Sequence, residues 1–162
     1  AGASGLVHDI QQAMDEAAAA HPSAELEQLR QEAAALEGKR GGKTAAKKAD
    51  DQARRERRRL VTEGWVHVLD GAASVHADAL AVSMGAERAV RHEELLPRLR
   101  EVGHPEQRVA LEDCLQEIQR VRAGFGLNPL ADLWVEGMLD RLAMIRQGSS
   151  IPRRSPGALT SG

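Results

Sequence analysis

Aromatic residues are nearly missing from this chain of 162 residues: Trp65, Phe125 and Trp134 are the whole set, with no tyrosine. Three aromatics at helical core spacing cannot build the stacking platforms that hold single-stranded nucleic acid. With Ala, Leu, Glu and Arg dominating, β-propensity is low throughout. The lone cysteine, Cys114, falls at an apolar helical position, which excludes a disulfide framework and a thiolate zinc site and fits a reducing cytosol. No apolar run approaches the roughly 18 residues of a membrane span, and no charged-then-apolar signal segment opens the chain. A soluble, untargeted, cytoplasmic segment without a membrane partner is the expectation.

Catalytic constellations are missing as well. There is no HExxH, no nucleophile elbow and no Cys-His pairing. Glu93 and Glu94 are consecutive on a helix and face apart, and Asp50 and Asp51 lie in a solvated arm, so neither pair suits acid/base work. His67 and His76 stand nine residues apart with no carboxylate at a ligand spacing. The stretch "EGKRGGKTAAKK" imitates a phosphate-binding loop, but only three residues separate Gly38 from Gly42 where four are needed. The preceding "LRQEAAALE" is helix-forming where a strand is required. The chain is therefore expected not to be an enzyme and to use neither cofactor nor metal, with the glycine-rich stretch a flexible loop between helices.

What is present is helical periodicity, and it predicts an all-α bundle of about five to six helices with one single core. Leu6, Ile10, Met14 and Ala17 form a stripe on a first helix ended by "HPS". Ser23 then caps a second helix carrying Leu26, Leu29, Ala33 and Leu36 inward, stopped by Gly38, Gly41 and Gly42. From Thr44 to about Met84 no proline intervenes, so one long helix can run there, basic at first. Its later half buries Val61, Trp65, Leu69, Ala72, His76 and Ala79 or Leu80, with Gly64 and Gly71 permitting close approach of a neighbour. Pro97 breaks the next element unless that element begins beside it, with Leu95, Leu96 and Leu99 inward. Pro105 opens a helix whose inner face is Leu111, Cys114 or Leu115, Ile118, Val121 and Phe125. Asn128 and Pro129 open the last, which reaches Gln147. Leu130, Leu133, Trp134, Val135, Met138, Leu139, Leu142 and Ile145 surround that last helix with apolar side chains. A partner protein on one side, or a central core position, would each explain it. Residues 148–162 have the composition of a disordered tail.

Charge is unevenly spread. Between Lys39 and Arg59 stand ten Lys and Arg against three Asp and Glu, in a chain of net charge −2. Such a run can attract phosphate backbones, though most charge runs are simply solvated.

The loop "GKRGGKTAAKK", the arm "DDQARRERRRLVTEGWVHVL", the helix "HPEQRVALEDCLQEIQRVRAGFG" and the closing "LNPLADLWVEGMLDRL" follow one another along the chain, and their order and spacing carry a resemblance. From about Ala24, and most clearly over His92–Ile145, the chain resembles the C-terminal part of the delta-prime subunit of the bacterial DNA polymerase III clamp loader, in the form found in GC-rich bacteria. Asn128, Pro129, Glu136, Met138, Leu139 and Leu142 fall on the pattern of that family's final helix. The resemblance implies an all-helical collar domain that packs against equivalent domains of other clamp-loader subunits in a five-membered ring. It implies a linker helix over 1–22, a collar-like domain over 23–147 containing a flexible loop and basic arm at 38–59, and the tail at 148–162. The family's nucleotide-binding fold, zinc-binding cysteines and Ser-Arg-Cys motif have no counterpart here, so a fragment or shortened relative is expected.

The leading expectation is thus a non-catalytic oligomerisation module in DNA replication, forming a hetero-oligomer with other clamp-loader subunits through its last two helices, with Leu130, Trp134 and Met138 as anchors. The alternative from another class is a helical protein that contacts DNA non-specifically, through phosphates held by Arg54, Arg55, Arg57, Arg58 and Arg59. A stand-alone helical scaffold is the third reading.

Overall fold

The computed structural model describes residues 3–125 and 131–148. Among these residues the protein is all-α, with six α-helices and no strand: α1 (Ala3–Ala20), α2 (Ala24–Ala35), α3 (Gly42–Ser83), α4 (Leu96–Val102), α5 (Arg108–Gly124) and α6 (Ala131–Arg146). Asn128, Pro129, Leu130 and residues 149–162 lie outside the described residues. The chain divides into two units, one built on the chain up to Asp70 together with Arg122–Glu136, the other on Gly71–Val121 and the chain from Gly137. The expectation of one core gives way to two units, each with buried residues of its own.

In the first unit the long arm is ordered by a helical hairpin. Ser23 caps α2, its hydroxyl accepting the Leu26 N–H at 3.1 Å, and the same hydroxyl donates to the Glu56 carboxylate of α3. Gln52 of α3 donates to Glu25 at 3.2 Å, so α2 and α3 run antiparallel from a tight turn at Leu36–Gly41. Gly38 and Gly41 adopt φ of 72° and 97°, the left-handed region that side chains disfavour. Gly42 starts α3 so close to α2 that a Cβ would fall 2.2 Å from the Leu36 carbonyl oxygen. The glycine-rich stretch expected as a flexible loop is a tight turn, and the basic arm after it is helical from Gly42, as the absence of proline allowed, with Ala45 and Ala49 buried. Small side chains at those two positions let α2 lie close.

Helix α1, expected as a linker, is integral to this unit. Arg57 holds Asp15 with two 2.7 Å hydrogen bonds, and the Gln11 side-chain oxygen accepts from the indole N–H of the fully buried Trp65 at 2.8 Å. Met14 fills the space left by Gly64. The inner face of α1 is thus Val7, Gln11 and Met14: Met14 belongs to the expected stripe, but Val7 at 2% exposure takes the place of Leu6, which is 52% exposed, and Ala17 is exposed. A polar Gln11 on the buried face, needed by the Trp65 N–H, disguised the pattern. Asp70 pairs with Arg122, bringing the end of α5 to this unit, where Leu69, Phe125 and Val135 are also buried.

In the second unit Ala79, Val90, Leu99 and Leu111 form a core flanked by Val75, Leu80 and Leu96. Pro97 sits in the first turn of α4, so it starts rather than kinks a helix, and the residues before it form two 3-10 turns, Glu87–Ala89 and Glu93–Leu95. Pro105 opens a third 3-10 turn that leads into α5. A Cβ at Gly103 would stand 2.8 Å from the carbonyl oxygens of Ala79 and Leu99, so the chain passes α3 at backbone contact. Gly71, by contrast, has open space around it and serves no close approach.

Candidate interaction surfaces

Of the expected anchors, Trp134 and Met138 fall among the described residues of helix α6. Met138 is buried at 3% exposure, an interior residue rather than an outward anchor. Trp134 is half-buried, its ring set against Gly124 of α5, where a Cβ would come within 2.8 Å of Cζ3. Leu130 is outside the described residues. The large apolar side chain that α6 presents to solvent in the first unit is Leu133, at 56% exposure. Ser4 of α1 donates to Glu136 of α6 at 2.8 Å, which sets the starts of the two helices side by side, and each carries one exposed leucine, Leu6 and Leu133. Periodicity along α6 could not single out Leu133, because apolar residues stand on every side of that helix.

The five arginines of the arm are sorted by their partners. Arg57 is committed to Asp15, and this pairing, chiefly the hydrogen bond, lowers the carboxyl pKa and raises that of the guanidinium. Arg59 pairs with Glu63 at 3.3 Å, and Arg55 Nε donates to the Asp51 carbonyl at 3.2 Å. Arg54 and Arg58 are exposed and, among the described residues, make no side-chain hydrogen bond or ion pair. Lys43 and Lys47 share both properties.

The second unit holds the buried polar groups. Asp78, 3% exposed on α3, accepts the ring Nδ1–H of His92 at 2.7 Å, the His92 amide at 3.0 Å and the Arg91 amide at 3.1 Å. Burial works to raise its pKa, but these donors outweigh it and the net direction is down. All of its partners come from the connection after α3, so Asp78 tethers a loop. Glu117 on α5 gathers Arg120, at 2.8 Å, and Arg141 of α6. Burial raises its pKa, the two guanidiniums lower it, and lowering prevails.

A cavity of about 170 Å³ lies in this unit, walled by Val75, Ala79, Leu99, Val102 and Leu111, with Cys114 and Arg146 also lining it. Burial pushes the Cys114 thiol pKa up, against the opposing pull of Arg146, so at neutral pH it stays protonated and is a poor nucleophile. His67 is exposed, and His76 Nδ1 lies 2.8 Å from the Ala72 carbonyl of its own helix. Among the described residues no three His, Cys, Asp or Glu side chains converge as metal ligands. None of their helices is long and apolar enough to cross a membrane.

No protein-family model, curated protein or solved structure matches this chain.

Proposed function

We propose that this chain is a non-catalytic oligomerisation module of a clamp-loader-like subunit, assembling with other clamp-loader subunits in bacterial DNA replication. The ordered set of four segments from "GKRGGKTAAKK" to "LNPLADLWVEGMLDRL" supports the subunit class, and the all-helical architecture is compatible with a collar. The observation that carries the assembly reading is the exposure of two large apolar side chains in the first unit, Leu6 of α1 and Leu133 of α6. Large apolar side chains in solvent on adjacent elements favour a protein partner, where they exclude water from the centre of a contact. The test is light scattering of the chain alone and mixed with the cognate clamp-loader subunits. A mixed complex that forms with the native chain and is lost with Leu133→Glu supports the reading. Failure of the native chain to associate with any of those subunits sinks it.

A further inference from the structure

The sorting of the arm arginines leaves a cationic line on one face of α3. Lys43, Lys47, Arg54 and Arg58 succeed one another at spacings of 4, 7 and 4. On a helix of 3.6 residues per turn these positions fall within about 60° of one another and extend over about 22 Å. All four are exposed and none has a side-chain partner among the described residues. Asp50 and Asp51, both exposed, lie within about 20° of the line between Lys47 and Arg54, and the exposed Lys48 and Arg55 stand farther round on one side.

We infer that this face of α3 is a binding surface for the phosphate backbone of a nucleic-acid duplex, read without regard to base sequence. The inference stands on α3 alone and is independent of the assembly reading.

Three features choose this occupant. A duplex presents one negative charge per about 1.7 Å of axis, so a line of cations about 22 Å long finds phosphates within reach along its length. From Lys43 to Arg59 the only apolar residues are four alanines, of which Ala45 and Ala49 are buried. The face thus lacks the large apolar anchors that a protein contact centre or insertion into a lipid surface requires. Arg54 and Arg58 offer planar forks that match phosphate oxygens two at a time. The face holds no aromatic, Asn or Gln at these four positions to address base edges, so binding is sequence-independent. The cations are held on a helix whose opposite side is fixed to α2 through Ser23 and Glu56, so little order has to be imposed on binding.

The experiment uses the full chain and a fluorescein-labelled mixed-sequence duplex of 20 base pairs, with anisotropy read between 50 and 200 mM NaCl. Four neutralised phosphates predict a log–log slope of about −3.6, an affinity loss of about a hundredfold across that range. Arg54→Gln with Arg58→Gln should reduce the slope by about 1.8 with an unchanged thermal melt, and Arg54→Lys with Arg58→Lys should keep the slope, since charge is retained. The charge-matched control, Arg88→Gln with Arg98→Gln, should bind as the native chain does. No duplex binding at 50 mM NaCl overturns the inference, as does an equal loss in the control. Preference for polyglutamate or for phosphatidylserine vesicles over the duplex also overturns it, in favour of an acidic protein segment or a lipid surface respectively.

Discussion

The indole of Trp134 lies over Gly124 so closely that a Cβ there would stand 2.8 Å from Cζ3 and 3.1 Å from Cη2. The ring is rigid and half-buried, so it cannot yield by bending. Gly124→Ala is therefore expected to cost about 1–3 kcal/mol by overpacking. Gly64→Ala is the instructive contrast: its Cβ would meet Met14 Sδ at 2.9 Å, but a thioether on three rotatable bonds can swing aside. The helical preference of alanine over glycine, about 1 kcal/mol, then offsets the crowding. Urea midpoints should fall for Gly124→Ala and stay near the native value for Gly64→Ala. Equal losses in both would show that the ring does not discriminate.

The turn between α2 and α3 makes a second pair of expectations. Gly41 at φ 97° should resist alanine by about 1–2 kcal/mol, and Gly42→Ala should cost more because its Cβ meets a backbone oxygen at 2.2 Å. Lys43→Ala should leave the fold intact and change no ATP affinity, since the loop joins two helices and lacks the strand a phosphate cradle needs. Calorimetry is the check. Micromolar ATP binding that Lys43→Ala abolishes would overturn the hairpin reading of this stretch.

The helices were largely legible in the sequence because their signals are local. Ser23 caps the helix after it, Pro97 and Pro105 stand in the first turn of helical elements, and the proline-free stretch after Thr44 allows the 42 residues of α3 to continue unbroken. The inner faces of α2 and α5 also matched their leucine spacing. The misreadings depend on pairs far apart in the chain. Gln11 looks like a surface residue until Trp65 needs an acceptor, and Arg57 looks like its neighbours until Asp15, 42 positions earlier, is beside it. Asp78 and His92 are separated by an irregular connection with no periodicity, so nothing local announces that the carboxylate is buried. Around α6 the apolar residues stand on all sides, and which of them face solvent is decided by tertiary packing.

Leu133 gives the most direct test of surface against core. At 56% exposure its replacement by Glu removes little buried area, so the unfolding free energy should change by no more than about 0.5 kcal/mol. Met138→Ala, at 3% exposure, should cost about 2–5 kcal/mol. If the chain assembles as proposed, association with its partners should respond in the opposite order, weakened by Leu133→Glu and retained by folded Met138→Ala. Light scattering and urea titration on the same two variants measure both. Loss of association in Met138→Ala alone would return the anchor to the inner face.

The Asp78 tether predicts the acid limit of the fold. Its carboxyl pKa is depressed in the folded protein because the hydrogen bonds from His92 and from the amides of Arg91 and His92 outweigh burial. As pH falls the unfolded chain therefore takes up this proton first. The stabilisation is present above the unfolded pKa, near 4, and is lost progressively as pH falls through the lower folded value. Asp15, Glu87 and Glu117, held by Arg57, Arg100 and the Arg120–Arg141 pair, are shifted in the same direction and act in the same window. Urea midpoints should stay level from pH 7 to about 5 and drop below about pH 4. Asp78→Asn cannot accept equivalently from two amides and a ring N–H, and should cost about 1–3 kcal/mol at pH 7. The native protein loses that advantage as its own carboxylate protonates, so the gap between the two proteins should narrow progressively as pH falls below the ordinary carboxylate range. A gap that stays constant over the whole range would mean that Asp78 is not the ionised acceptor holding the loop.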